Sequence, residues 1–248
     1  MQKYIIKEID RPSKQIIEEF NKLDVSTVYE AQGKQGLMNH RLKPILDNTL
    51  ICGPAVTAVC PAGDNLMIHA AIEVCKPGDI LVITTIGEGL AGMIGELIVT
   101  ALIKRGVRGV IIDSAIRDVA QIREMGFPIW TRAVYSQGTT KSRGGWVNSS
   151  TVCGGAAIQP GDLIMADDDG VVVVPKDDIP FALEASKRRL AKEEDTKNRI
   201  FEGEISIDFY NLRPILQEQE VIYYENLQEW EQRMNVFVKE SDGCNGKA

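Results

Sequence analysis

The chain has 248 residues, 28 Lys+Arg against 35 Asp+Glu, and 44% hydrophobic residues. That describes an ordinary globular chain of one large domain, or one domain with an appendage. A net charge of −7 with no basic stretch argues against nucleic acid as the main partner, because phosphate neutralisation needs clustered Lys and Arg. The opening MQKYIIKEID lacks the apolar core of a signal peptide, and no apolar run of about 18 residues occurs. The expectation is a cytoplasmic protein without a membrane association.

Residues 13–23 carry apolar positions at helical spacing, and 25–34 read as a second short helix. LICGPAVTAVC (50–60) reads as a strand or strand pair. Asp64 opens a helix, NLMIHAAIEVC, that ends at the turn Lys76-Pro77-Gly78-Asp79. ILVITTI (80–86) is a strand covered on both faces. The glycine-rich stretch Gly87–Gly92 leads into a helix over 93–105, which Gly106 stops, and VRGVIID (107–113) is the next buried strand. A helix at 118–125 and a strand at 128–132 extend this βαβ pattern. Residues 144–175, rich in Gly, Val and turn residues, predict short antiparallel strands in a second layer. Residues 178–200 form a long charged helix with no evident partner in the chain, and 204–238 are a mixed tail. The fold class is α/β. Cys52, Cys60, Cys75 and Cys153 sit in apolar or Gly-rich stretches and read as small buried hydrophobes; together with Cys244 they show no metal-type spacing.

Gly87-Glu88-Gly89-Leu90-Ala91-Gly92 matches G-x-G-x-x-G after a strand, with Asp113 at the end of the next strand. That arrangement raises a nucleotide or S-adenosylmethionine site. Gly-rich β structure follows instead of further βαβ repeats, so the glycines read better as a tight turn. Asp167-Asp168-Asp169-Gly170 lacks the remaining ligands of a Ca²⁺ loop and reads as a turn between strands. Lys104, far down its helix, and Lys141, in a polar loop, read as solvated lysines rather than Schiff-base nucleophiles. His69 reads as a packed or surface histidine.

The informative constellation is Gly95-Glu96-Leu97-Ile98, then 20 intervening residues after Glu96, then Arg117-Asp118. Glu96 lies in the first turn of one helix, and Arg117-Asp118 begin another. Both follow neighbouring parallel strands, where open α/β sheets bind ligands. The amides of Leu97 and Ile98 would add an anion-binding edge. Oxygen-only ligation by these carboxylates suits Mg²⁺ or Mn²⁺, whereas His40 and His69 do not pair at zinc spacing. Helix capping by Glu96 and Asp118, with Arg117 pairing to one of them, would account for the same residues.

GMIGELIVTALIKRGVRGVIIDSAIRDVAQI (92–122), CGPAVTAVCPAGDN (52–65) and CGGAAIQPGDLIMADDDGVVVVP (153–175) together resemble the RraA-like family. That family includes class II aldolases cleaving 4-hydroxy-4-methyl-2-oxoglutarate and 4-carboxy-4-hydroxy-2-oxoadipate. The resemblance implies a β/β/α swivelling-type domain with mixed sheets and a long C-terminal helix. The domain would fill residues 1–212, with the helices of 13–34 included and 213–248 as an extension. It further implies a homo-trimer or hexamer. Asp118 would be the direct metal ligand, with Glu96 holding a metal-bound water. Arg117 would contact the 2-oxo group and carboxylate of the substrate, beside Gly95 and the Leu97 and Ile98 amides. Glu193 or Glu194 of a neighbouring subunit would reach the metal's waters. Two departures stand out: Glu96 where the characterised aldolases carry Asp, and Asn148-Ser149-Ser150 where Asn-Val-Pro is commoner. The implied activity is metal-dependent retro-aldol release of pyruvate, with oxaloacetate decarboxylation on the side. The alternative is a regulator of ribonuclease activity acting by protein contact.

Overall fold

The computed structural model describes residues 2–87 and 89–234. Glu88, within the glycine-rich motif, and Cys244, at the far end of the tail, lie outside the described residues. The elements are, in order, β1 (Tyr4–Ile5), α1 (Lys14–Phe20), α2 (Val25–Ala31), β2 (Lys43–Pro44), β3 (Ile51–Pro61), α3 (Leu66–Val74), β4 (Ile80–Ile86), β5 (Gly92–Ile94), α4 (Glu96–Arg105), β6 (Gly109–Ile116) and α5 (Val119–Glu124). There follow β7 (Ile129–Val134), β8 (Trp146–Val147), β9 (Thr151–Cys153), β10 (Ala156–Ile158), β11 (Leu163–Ala166), β12 (Val171–Val174), α6 (Ile179–Phe201), α7 (Ser206–Phe209) and α8 (Arg213–Glu218). The chain divides into two compact units, up to Lys192 and from Glu193 onward. The division precedes the boundary at 212 implied by the resemblance. No described helix is long and apolar enough to cross a membrane.

In the first unit, β3, β4, β6 and β7 form a parallel core. Their alternating side chains explain the layers. Val56, Ala58, Leu81, Ile83, Val110 and Ile112 face α3 and α4, meeting Ile68, Ala71, Val99 and Leu102. The intervening Ala55, Ile80, Val82, Ile111 and Trp130 face the hairpin β11–β12, where Ile164, Ala166, Val171 and Val173 complete a second core. The other face of that hairpin, Leu163, Met165, Val172 and Val174, packs on Phe20 of α1, Val28 of α2 and Ala182 of α6. Period-two alternation buried on both faces thus sets the two sheets between helical layers. The mixed α/β architecture agrees with the sequence reading.

Strand β3 serves both sheets. Residues 55–61 pair in parallel with β4, while 51–54 pair antiparallel with β11. As expected, 144–175 supply short strands, with β9–β10 and β11–β12 antiparallel. Three sequence expectations are corrected. The helix predicted from residue 93 begins at Glu96, because Gly92–Ile94 are extended and pair with β6. The strand predicted over 107–113 continues to Ile116 through an irregularity between Ile112 and Ala115. The long helix does have partners in the chain: its first turns bury Ile179, Ala182, Leu183 and Ser186.

The four cysteines expected inside are buried, and burial pushes the Cys52, Cys60 and Cys75 thiols up to about 12. The acidic stretch at 167–170 is the expected turn. Asp167 Oδ1 accepts from the Asp169 and Gly170 amides, and Oδ2 from the Val25 amide at 2.9 Å. In the second unit, Arg199 pairs with Glu204 and lies over the Phe209 ring, and Arg213 pairs with Asp208.

Candidate active site

The candidate residues follow the carboxyl ends of β5, β6 and β7, which are adjacent and parallel. Three backbone bonds fasten these ends together. Arg117 N–H donates to Ile94 O at 2.9 Å, Tyr135 N–H to Ile116 O at 2.9 Å, and Gly92 N–H to Gln137 O at 2.8 Å. Glu96 therefore opens α4 beside Arg117 and Asp118, and the segment after β7 closes over them. The resulting cavity, of about 530 Å³, is lined by Gly95, Glu96, Leu97, Ile98, Arg117 and Asp118.

Asp118 does not cap its own helix α5. It takes a left-handed conformation, φ 57°, which Asp tolerates better than most residues. From there its Oδ2 accepts from the Glu96 amide at 3.2 Å, so it caps α4 instead. The same oxygen lies 3.8 Å from Arg117 Nε. Gly95 makes this possible, since a Cβ there would run into Asp118 Oδ2 and crowd Arg117. Expectation and geometry part at the anion-binding edge. The Ile98 amide is spent on Gly95 O at 3.1 Å, so of the two expected amides only that of Leu97 is left for a ligand among the described residues. The Leu97 side chain is 84% exposed at the cavity rim.

Asn65, His69, Thr139 and Lys141, which the sequence reading did not place here, also line the cavity. Asn65 is buried, and its Nδ2 donates to Met93 O at 3.1 Å, linking α3 to β5. Burial, and then the positive charge of Lys141, hold the His69 imidazole below its ordinary pKa, so it is neutral at pH 7. Lys141, expected to be merely solvated, is exposed yet on the cavity wall. Lys104 lies in the last turn of α4, at the far end of the helix from Glu96. Asp113 accepts from the Gly154 amide and pairs with Arg132 at 3.2 Å. Gly92 lies in a strand rather than opening a helix, so the strand–glycine loop–helix context of a nucleotide site is missing.

The donor set fits a hydrated hard cation. Glu96 and Asp118 supply oxygen only, and one oxygen of Asp118 is engaged by the α4 amide. Among the described residues no cluster of three His, Cys, Asp or Glu could hold a metal. Water would have to fill most of a coordination shell, as Mg²⁺ and Mn²⁺ accept and a closed zinc site does not. Glu193 and Glu194 lie on α6, where Glu194 pairs with Lys197.

A family profile described as RraA-like, Aldolase/RraA, matches residues 23–173. The chain belongs to the RraA-like family. A relative in Halalkalibacterium halodurans, provisionally named 4-hydroxy-4-methyl-2-oxoglutarate aldolase, is 30% identical over 194 residues, covering 78% of this RraA-like chain and 92% of that protein. An uncharacterized protein of Methanocaldococcus jannaschii is 34% identical over 175 residues, 69% of this chain and 83% of its own length. Among solved structures, RraAS2 of Streptomyces coelicolor, a member of the RNase ES inhibitor RraA protein family, superposes with a TM-score of 0.69 at 26% identity, over 77% of this chain and 99% of that one.

Proposed function

We propose that this RraA-like protein is a divalent-metal-dependent pyruvate aldolase. It would cleave a 4-hydroxy-2-oxo di- or tricarboxylic acid, of the 4-hydroxy-4-methyl-2-oxoglutarate or 4-carboxy-4-hydroxy-2-oxoadipate type, to release pyruvate. The observation that carries the reading is the meeting of Glu96, Arg117 and Asp118 in one cavity that also presents His69 and Lys141.

Retro-aldol cleavage requires negative charge to be stabilised at the 2-oxo oxygen and a proton to leave the 4-hydroxyl. Arg117 offers a planar fork that can span the 2-oxo oxygen and the adjacent carboxylate, and Asp118 beside it helps fix its orientation. The Leu97 amide adds a donor at the first turn of α4. Lys141 is suited to the second carboxylate of the substrate. The cavity groups suited to accept the hydroxyl proton include the Glu96 side chain and the His69 imidazole. A divalent ion held directly by Asp118, and through water by Glu96 and by Glu193 or Glu194 of a neighbouring subunit, would supply Lewis-acid polarisation of the 2-oxo group. Loss of CO₂ from oxaloacetate forms the same pyruvate enolate, so decarboxylation accompanies the main activity. The assembly that would bring in a neighbour's glutamate is a homo-trimer or hexamer.

The test couples pyruvate release to lactate dehydrogenase for both hydroxy acids and for oxaloacetate, with Mg²⁺ or Mn²⁺ and with EDTA. Turnover that EDTA abolishes supports the reading. No pyruvate from any of the three, with metal present, would refute it. The likeness to RraAS2 would then favour a regulator of ribonuclease activity that works by protein contact.

A further inference from the structure

The segment that carries Thr139 and Lys141 to the cavity has few apolar residues to hold it, yet its placement is tightly determined. Residue 64 is responsible. Asp64 is fully buried, and its Oδ2 accepts from Thr140 Oγ1 at 2.6 Å, the Ser142 amide at 2.7 Å, the Arg143 amide at 3.0 Å and Ser142 Oγ at 3.2 Å. Its Oδ1 accepts from the Leu66 amide at 3.0 Å, at the start of α3. Two backbone bonds flank the carboxylate: Asn65 N–H donates to Thr140 O at 3.0 Å and Thr140 N–H to Gly63 O at 2.9 Å. Residues 140, 142 and 143 are thereby fixed to the same short stretch that launches Asn65 and His69. Lys141 lies between two of the anchored positions and cannot shift without breaking them.

We infer that Asp64 is a positioning residue: its buried carboxylate sets Lys141 opposite the dicarboxylate substrate by clamping the 140–143 segment to the start of α3. It touches no substrate itself. Burial alone would raise its pKa, but the Thr140 hydroxyl and the Ser142, Leu66 and Arg143 amides outweigh that and hold the carboxyl well below the usual range. The clamp is therefore charged, and its hydrogen bonds are of the strong charge-assisted kind, throughout the pH range where an aldolase would work. The consequence for substrate rests on the aldolase reading; the clamp rests on the geometry alone.

The experiment has two arms. Trypsin cleaves after Lys141 and Arg143, so limited proteolysis of the full-length protein reports the release of this segment without any turnover. Asp64→Asn should be cut there about tenfold faster, the loss expected from weakening one or two such bonds. Should Asp64→Asn fail to fold, Thr140→Val combined with Ser142→Ala removes donors from the segment side and should act in the same direction. Unchanged cleavage in the folded variant would overturn the clamp, whatever the enzyme does. The second arm is a double-mutant cycle in the coupled assay. Asp64→Asn should raise KM about fivefold with a smaller effect on kcat, as a displaced charge contact would, and should add nothing once Lys141 is Ala. Additive effects in the two backgrounds would leave Asp64 a purely structural residue. Wild-type protein without turnover would instead sink the aldolase reading, with the clamp still judged by proteolysis.

Discussion

Replacing Asp118 separates what its carboxylate does for the fold from what it does for the reaction. In Asp118→Ala, α4 loses the acceptor for the Glu96 amide, worth about 1 kcal/mol as a cap. Alanine must also occupy φ 57°, which costs roughly another 1 kcal/mol. The 3.8 Å approach to Arg117 is between partly exposed groups and adds little. The sum of about 2 kcal/mol should lower the melting temperature by about 4–8 °C for a domain of this size. Asp118→Asn keeps an acceptor and tolerates the left-handed backbone, so calorimetry should find its melting temperature close to that of wild type. Both variants should nevertheless lose metal-dependent pyruvate release, since neither offers a carboxylate. Asp118→Asn with wild-type turnover still abolished by EDTA would move the metal away from this residue. Asp118→Ala melting far below the expected interval would show that more than a cap and a strained backbone had been removed.

Arg117→Lys should not rescue function although it conserves charge; we expect kcat to fall on the order of 10²–10³-fold, the usual cost of one preorganised donor, and a raised KM alone would reduce Arg117 to holding substrate. Gly95→Ala should push Asp118 Oδ2 off the α4 amide and depress turnover with only a modest loss of stability, measured by paired assay and thermal melt. Trp130→Ala, which empties a fully buried site between the two sheets and orphans the carbonyl of Asp167 that the indole bonds at 2.8 Å, should cost about 3–5 kcal/mol in urea unfolding. Because Asp64 is held below the ordinary carboxylate range in the folded state, its contribution is complete above about pH 4 and is lost as the pH falls below that value. Acid titration of wild type should therefore show a loss of stability in this region that Asp64→Asn lacks.

The parallel core was legible because ILVITTI and its neighbours are buried on both faces and therefore almost uniformly apolar. The meeting of Glu96 with Arg117 and Asp118 was legible for a related reason: neighbouring parallel strands deliver their successors to the same edge. The short strand β5 was not, since the three residues Gly92–Ile94 are apolar enough to pass as the first turn of the following helix. The Gln137 carbonyl, the backbone of β6 and the Asn65 side chain, all distant along the chain, hold them extended. Lys141 was missed because TTKSRGG has the composition of a solvated loop. The signal that places it is a bond between residues 64 and 140, a pairing no local pattern discloses. The inverted capping by Asp118 belongs to the same class, since it depends on a residue 22 positions away.

The continuity of β3 through both sheets bears on how the domain comes apart. Its residues 51–54 complete the hairpin layer and 55–61 the parallel layer, with no loop between them to act as a hinge. Neither layer can detach without disrupting the strand that belongs to the other, so partial opening along the inter-sheet core is suppressed. Amide hydrogen exchange should report one shared opening event for Val172 in the hairpin and Leu81 in the parallel sheet, with matching free energies and matching denaturant slopes.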